Sequence, residues 1–143
     1  MSAAGGCIFC RIVAGEIPAE IVHSAEAAVA FLDVSPLADG HVLVVPRVHA
    51  ARVEELPSAA AAGAFRVVAA LSGPVRRALH ADGLTIGVND GEVTGQTVPH
   101  VHIHIVPRRF GDGAGSIHGM FQAGPRRPVG EIAAAIRRAA GER

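Results

Sequence analysis

His100-Val101-His102-Ile103-His104-Ile105-Val106 is the stretch on which the reading of this chain turns. Successive side chains of a β-strand point to opposite faces, so an extended segment here sets His100, His102 and His104 on one face and Val101, Ile103 and Ile105 on the other. The apolar row belongs to a core and the imidazole row to a site. With 8 histidines among 143 residues, this spacing arises by chance in roughly two or three chains per hundred of such composition. Three readings are open: neighbouring surface histidines, a metal held by imidazoles at alternate positions, or a nucleophilic centre.

The nucleophilic reading follows from the imidazole itself. Its ordinary pKa is about 6.5, so at neutral pH most of it can attack without a separate strong base. Phosphorus is a suitable target. Attack by His102 gives a covalent nucleotidyl-histidine whose P–N bond water can cleave. One ring nitrogen must be free and the other held as a donor, and the backbone carbonyl of His100 is near enough in sequence to hold it. His104, one step along the same face, is placed to donate to a phosphate oxygen, with His41 as its candidate partner. Upstream, Asn89-Asp90-Gly91-Glu92-Val93-Thr94-Gly95-Gln96-Thr97-Val98 is a loop able to turn backbone N–H groups toward an anion.

Working outward, residues 98–106 are predicted as a fifth strand and 84–89, bounded by Asp82-Gly83 and Asp90-Gly91, as a fourth. Residues 19–22 and 28–32 suggest a hairpin turning at 24–26, and 41–45 a third strand closed by Pro46. The segment after Pro57 has helical periodicity, with a kink or break expected at Gly73-Pro74. Residues 7–15 and 131–138 suit short helices, while 1–6 and 111–127 read as irregular. The pattern is an α+β fold: a five-stranded, mainly antiparallel sheet with one long helix and short helices, in a single domain spanning 1–143.

Half of the residues are apolar and 18% are charged, a globular composition. The 13 basic residues, all arginine, balance 13 acidic ones, which argues against a cationic face for nucleic acid. No stretch approaches the roughly 20 continuous apolar residues of a membrane span, and no secretory signal opens the chain. A cytoplasmic protein with no membrane partner is expected. There Cys7 and Cys10 stay reduced, and their spacing points to metal or redox chemistry before a disulfide. No strand precedes the pair as a thioredoxin-like unit requires. Half of a tetrahedral zinc site, or two core cysteines, remain.

The heptapeptide 100–106 matches His-φ-His-φ-His-φ-φ, φ being apolar, and so resembles the signature of the histidine triad (HIT) family. Cys7-Ile8-Phe9-Cys10-Arg11-Ile12, Phe31-Leu32-Asp33-Val34-Ser35-Pro36, Gly40-His41-Val42-Leu43-Val44-Val45-Pro46 and Gly95-Gln96-Thr97-Val98 look like further family blocks in family order. The resemblance covers about residues 7 to 110 and is nearest to the Hint-like, bacterial branch. It implies a HIT-like fold, a homodimer with a sheet continuous across two chains, and a purine-nucleotide hydrolase or transferase acting at the α-phosphate. A nucleoside 5′-phosphoramidase is the leading activity. A dinucleoside polyphosphate hydrolase or a non-catalytic nucleotide-binding module are the alternatives.

Carried over by position, His102 is the nucleophile. His104, His41, His100 and Thr97 support it, Thr97 standing where the branch usually carries serine and being placed to protonate the leaving group. Asn89, Gly95, Gln96 and Thr97 surround the phosphate, and Asp33 holds the ribose hydroxyls, although a turn-stabilising role would also explain that aspartate. Ile8, Phe9 and Phe31 line the base pocket or simply pack the core. Zinc-containing bacterial members imply that His49 and His100 complete a structural zinc site with Cys7 and Cys10. The tail from Gly111 onward lacks the C-terminal pattern of the Hint branch. His23, His80 and His118 sit where solvent exposure is the ordinary explanation.

Overall fold

The computed structural model describes residues 3–141, which form two compact units dividing between Asp112 and Gly113. The first contains a short helix α1 (Ile8–Val13), strands β1 (Ile21–Ser24), β2 (Ala28–Leu32) and β3 (Val42–Pro46), the long helix α2 (Ser58–Ala78), and strands β4 (Gly83–Gly87) and β5 (Ile103–Arg108). The second holds a 3-10 turn at Ile117–Met120 and helix α3 (Val129–Ala139).

All four strand pairings are antiparallel, in the order β1-β2-β3-β5-β4, so the α+β expectation holds. It is not a simple meander. The chain passes through α2 to the far edge, lays down β4, and returns with β5 between β3 and β4. Strand β5, which carries His104, is therefore hydrogen-bonded on both sides.

Two apolar layers cover the sheet. Ala28, Ala30, Val42, Val44, Ile103 and Ile105 face Ala64, Val67, Val68, Leu71 and Val75 of α2, whose spacing of three and four residues lines one helix face. Val29, Phe31, Leu43 and Val45 face the opposite way, onto Cys7 and Phe9 at the start of the chain. With both faces occupied, β3 is buried along its whole length, and so reads as an unbroken apolar run.

Several predicted boundaries shift. Strand β1 runs two residues later than expected, and Ala25 N–H closes the turn on Ala28 C=O. Strand β4 ends at Gly87, before Asn89, and β5 begins only at Ile103 because His100 lies in a bend. His41 precedes β3. Helix α2 continues through Gly73-Pro74 without a break. Pro74 removes a single donor, toward the carbonyl of Ala70, and both residues are exposed, so water can serve that carbonyl. At 21 residues α2 is also long and apolar enough to cross a membrane by length and composition, against the sequence expectation, but its apolar face is occupied by the sheet.

Gly63 sits where α2 crosses the β1–β2 turn, and a Cβ there would fall 2.3 Å from the Cβ of Ala27. Alanine's helical advantage of about 1 kcal/mol loses to overpacking of about 1–3 kcal/mol. Gly63→Ala is expected to lower stability by up to about 2 kcal/mol in urea unfolding, where a surface helical glycine would gain.

Candidate functional site

Three polar groups of one residue organise the centre. His100 is fully buried, which removes the reading of the triad as surface histidines. Its Nε2–H donates to Pro46 C=O at 2.8 Å, which leaves Nδ1 with a lone pair. Its backbone carbonyl accepts from Nδ1–H of His102 at 2.8 Å. A carbonyl only accepts, so the His102 proton is on Nδ1 and Nε2 is the bare nitrogen, the tautomer that nucleophilic attack requires. The ring of His102 is braced edge-on by Phe9 at 5.1 Å and lies 4.9 Å from the ring of His104.

His100 Nδ1 faces Cys7 Sγ at 3.4 Å, Cys10 Sγ at 3.5 Å and His49 Nδ1 at 3.2 Å, and Cys10 Sγ stands 3.3 Å from His49 Nδ1. Tetrahedral zinc with ordinary Zn–S and Zn–N bonds needs N···N edges of about 3.3 Å and S···N edges of about 3.6 Å. The four donors stand close to the corners of that tetrahedron, and the Pro46 carbonyl fixes the His100 tautomer as an outer partner should. The residues fit the metal. Burial, then the hydrogen bond and charge of Cys7, push the Cys10 thiol up to about 11, the penalty that a dication relieves. The sequence-predicted set Cys7, Cys10, His49 and His100 is thus brought together from α1, the segment after β3 and the bend before β5.

His104 Nδ1 lies 2.8 Å from His41 Nε2, the pairing expected for this strand face. Burial first, then the neighbouring His102 and His41, depress His104 to about 4. Burial also lowers His41, against a smaller opposing effect of Asp33. Nε2 of His104 is buried and has no hydrogen-bond partner among the described residues.

The remaining candidates divide. Asp33 Oδ1 accepts from Ser35 N–H at 2.9 Å while Oδ2 stands 3.7 Å from His41 Nε2, so the turn-stabilising reading is realised and one oxygen faces the imidazoles. Gln96 is a brace: its Oε1 accepts from Gly91 N–H at 2.7 Å, and its Nε2 donates to Ala51 and Val98 carbonyls. Gly95, at φ +97, and Thr97 line an open cavity of about 520 Å³ with Arg52, Glu92 and Gln96. Thr97 also borders a cavity of about 310 Å³ with the exposed Ile8 and with His49. Phe9 and Phe31 pack edge to face at 5.6 Å inside the core. Asn89 is half-buried in the loop after β4 and borders neither of these two cavities. Sequence reasoning missed the Pro46 carbonyl and the Gln96 brace, because neither has a local sequence signal.

The HIT domain model matches residues 14–111. The chain belongs to the HIT family. Among its relatives, the HIT protein of Bacillus subtilis is 41% identical over 118 residues, covering 82% of this chain and 81% of that one. The adenosine 5′-monophosphoramidase of Schizosaccharomyces pombe is 37% identical over 112 residues, covering 76% and 81%. A zinc-bound histidine triad family protein from Mycobacterium smegmatis superposes with a TM-score of 0.74 at 35% identity, covering 98% of this HIT chain and 100% of its own.

The depressed His104 makes a stability prediction. Between about 6.5, its value in the unfolded chain, and about 4 in the fold, unfolded chains take up a proton that the folded protein refuses. Stability present above pH 6.5 is therefore lost as pH falls toward 4, by at most about 3 kcal/mol from this residue. Urea unfolding across that window should show a steeper loss for the wild type than for His104→Asn. Parallel curves would show that His104 is not the group responsible.

Proposed function

We propose that this HIT protein is a nucleotidyl hydrolase that opens the P–N bond of purine nucleoside 5′-phosphoramidates at the α-phosphate. The observation that carries the reading is the His102 tautomer: Nδ1–H engaged by the His100 carbonyl, Nε2 left as the nucleophile. Nε2 attacks phosphorus, the bond to the leaving amine breaks, and the amine departs with a proton supplied from the site, Thr97 being the candidate donor. Water then cleaves the phosphorus–Nε2 bond, one of its protons returning to the donor, which releases the nucleoside monophosphate and restores the lone pair on His102 Nε2. His104 serves the phosphate oxygens and His41 serves His104. Gly95 and Asn89 belong to the loop beside the phosphate, and Asp33 offers its outer oxygen to the ribose. Likeness to the Schizosaccharomyces pombe phosphoramidase supports the substrate class.

Zinc, when bound, would be held by Cys7, Cys10, His49 and His100 in a closed structural site, tying the start of the chain to the histidine segment. Likeness to the zinc-bound Mycobacterium smegmatis protein supports it. A homodimer is part of the same reading, supported by the edge position of β4, where Thr85 and Ile86 are exposed.

Incubated with adenosine 5′-phosphoramidate, the protein is expected to release AMP, and His102→Ala to lose at least about a thousandfold in kcat. Acid-quenched wild type should carry an AMP adduct on His102. Equal AMP release by the variant would end the proposal. Protein purified without a tag should hold about one zinc per chain, and Cys10→Ser well under half of that. An unmetallated wild type, grown with zinc present, would remove the zinc site.

A further inference from the structure

His41 is held by a group that no side-chain motif announces. In the loop 33–40 the backbone N–H of Leu37 donates to His41 Nδ1 at 3.1 Å. A nitrogen that accepts carries a lone pair, so neutral His41 has its single proton on Nε2. That nitrogen is 2.8 Å from His104 Nδ1 but 3.7 Å from Asp33 Oδ2, and the proton therefore points to His104. His104 Nδ1 accepts it, which leaves the proton of His104 on Nε2, the buried atom without a partner. The reverse order would set the Leu37 N–H against an N–H on His41.

We propose that the Leu37 amide sets the tautomers of both His41 and His104, keeping a donor N–H instead of a lone pair on the free nitrogen of His104 beside the His102 ring. Leu37 is a positioning residue that acts through its backbone, since its side chain is 78% exposed. Local contacts define the path of the loop. Asp33 caps the Ser35 amide, His41 N–H donates to Ala38 C=O at 3.1 Å, and Gly40, at φ +83, occupies a place where a Cβ would meet the Leu79 side chain at 2.6 Å. Burial keeps both imidazoles neutral at pH 7, so each has one proton to place.

The same order of protons decides between two uses of one cluster. Asp33, His41 and His104 converge within 4.8 Å, a donor set that could hold a cation. A cation there needs the lone pair of His41 Nε2, hence a proton on Nδ1 facing the Leu37 amide. The loop makes the cluster a directed hydrogen-bond chain. For the reaction, which rests on the proposed function, an N–H at His104 Nε2 stabilises charge on the phosphate oxygens, whereas a lone pair would repel it.

Imidazole nitrogen NMR of the full chain at neutral pH reads the tautomers without reference to any substrate. His41 and His104 are both expected to carry Nε2–H. Replacing Leu37 by its α-hydroxy acid, which turns the amide N–H into an ester oxygen, should bring Nδ1–H forms into both residues. It should lower kcat on adenosine 5′-phosphoramidate by about 10- to 100-fold, with KM changed by no more than about threefold. Leu37→Ala, which keeps the amide, should leave both nitrogen patterns unchanged. A wild-type His104 protonated on Nδ1, or an ester variant with unaltered tautomers, would overturn the proposal. Should the ester chain fail to fold, the wild-type spectrum decides alone. A wild type with the expected tautomers but no turnover would refute the substrate assignment and leave the tautomer assignment standing.

Discussion

Everything at the centre of this HIT domain depends on His100 being buried with all of its polar groups engaged. Its Nε2–H is spent on the Pro46 carbonyl at the end of β3, its carbonyl orients His102, and its Nδ1 meets both cysteines and His49. A buried polar group left unmatched costs about 1–3 kcal/mol, so each of these bonds is enforced by the burial of the others. The orientation of the His102 ring and the anchoring of the N-terminal segment are consequently one constraint. A change in the cluster of Cys7, Cys10 and His49 reaches His102 through a single residue, two positions away in sequence.

The sheet supplies the frame for that constraint. Because β5 lies between β3 and β4, His104 pairs with Leu43 on one side and Gly87 on the other, and Leu43 pairs in turn with Phe31. The apolar partners of β5, Ile103 and Ile105, fasten it to α2 from the opposite face. His104 is thus held by the strand itself, His41, His100 and His102 lie just outside the ends of β3 and β5, and the amide that orders His41 arrives from a loop. Leu37 comes from the loop before β3. Such a division suits chemistry that depends on which nitrogen carries a proton, where an error of one hydrogen bond reverses a donor into an acceptor.

Much of this was legible in the chain. Alternation of histidine with valine and isoleucine over residues 100–106 identifies a strand with one apolar face, and the register of side chains follows from the pleat alone. Cys7-x-x-Cys10 signals two donors on one turn. The carbonyl of His100 lies near His102 Nδ1 by virtue of sequence proximity, so that bond was predictable from local geometry. Strand ends were less legible: Val98 to His102 look as β-prone as the rest, yet the chain bends there to drive His100 inward. Pro74 promised a break that an exposed Ala70 carbonyl does not require.

What the sequence determined by itself is the inventory: the triad, the cysteine pair, a turn-rich loop before the triad, and an α+β order of elements, all encoded in spacing over a few residues. Tertiary structure alone decided the partners. His49 and His100 are 51 positions apart, and His41 and His104 are 63 apart. Only the insertion of β5 beside β3 brings each pair within hydrogen-bond distance. The proton order along His41 and His104 is set by a backbone amide, and every non-proline residue has one. No residue type marks the amide that matters. Folding selects it.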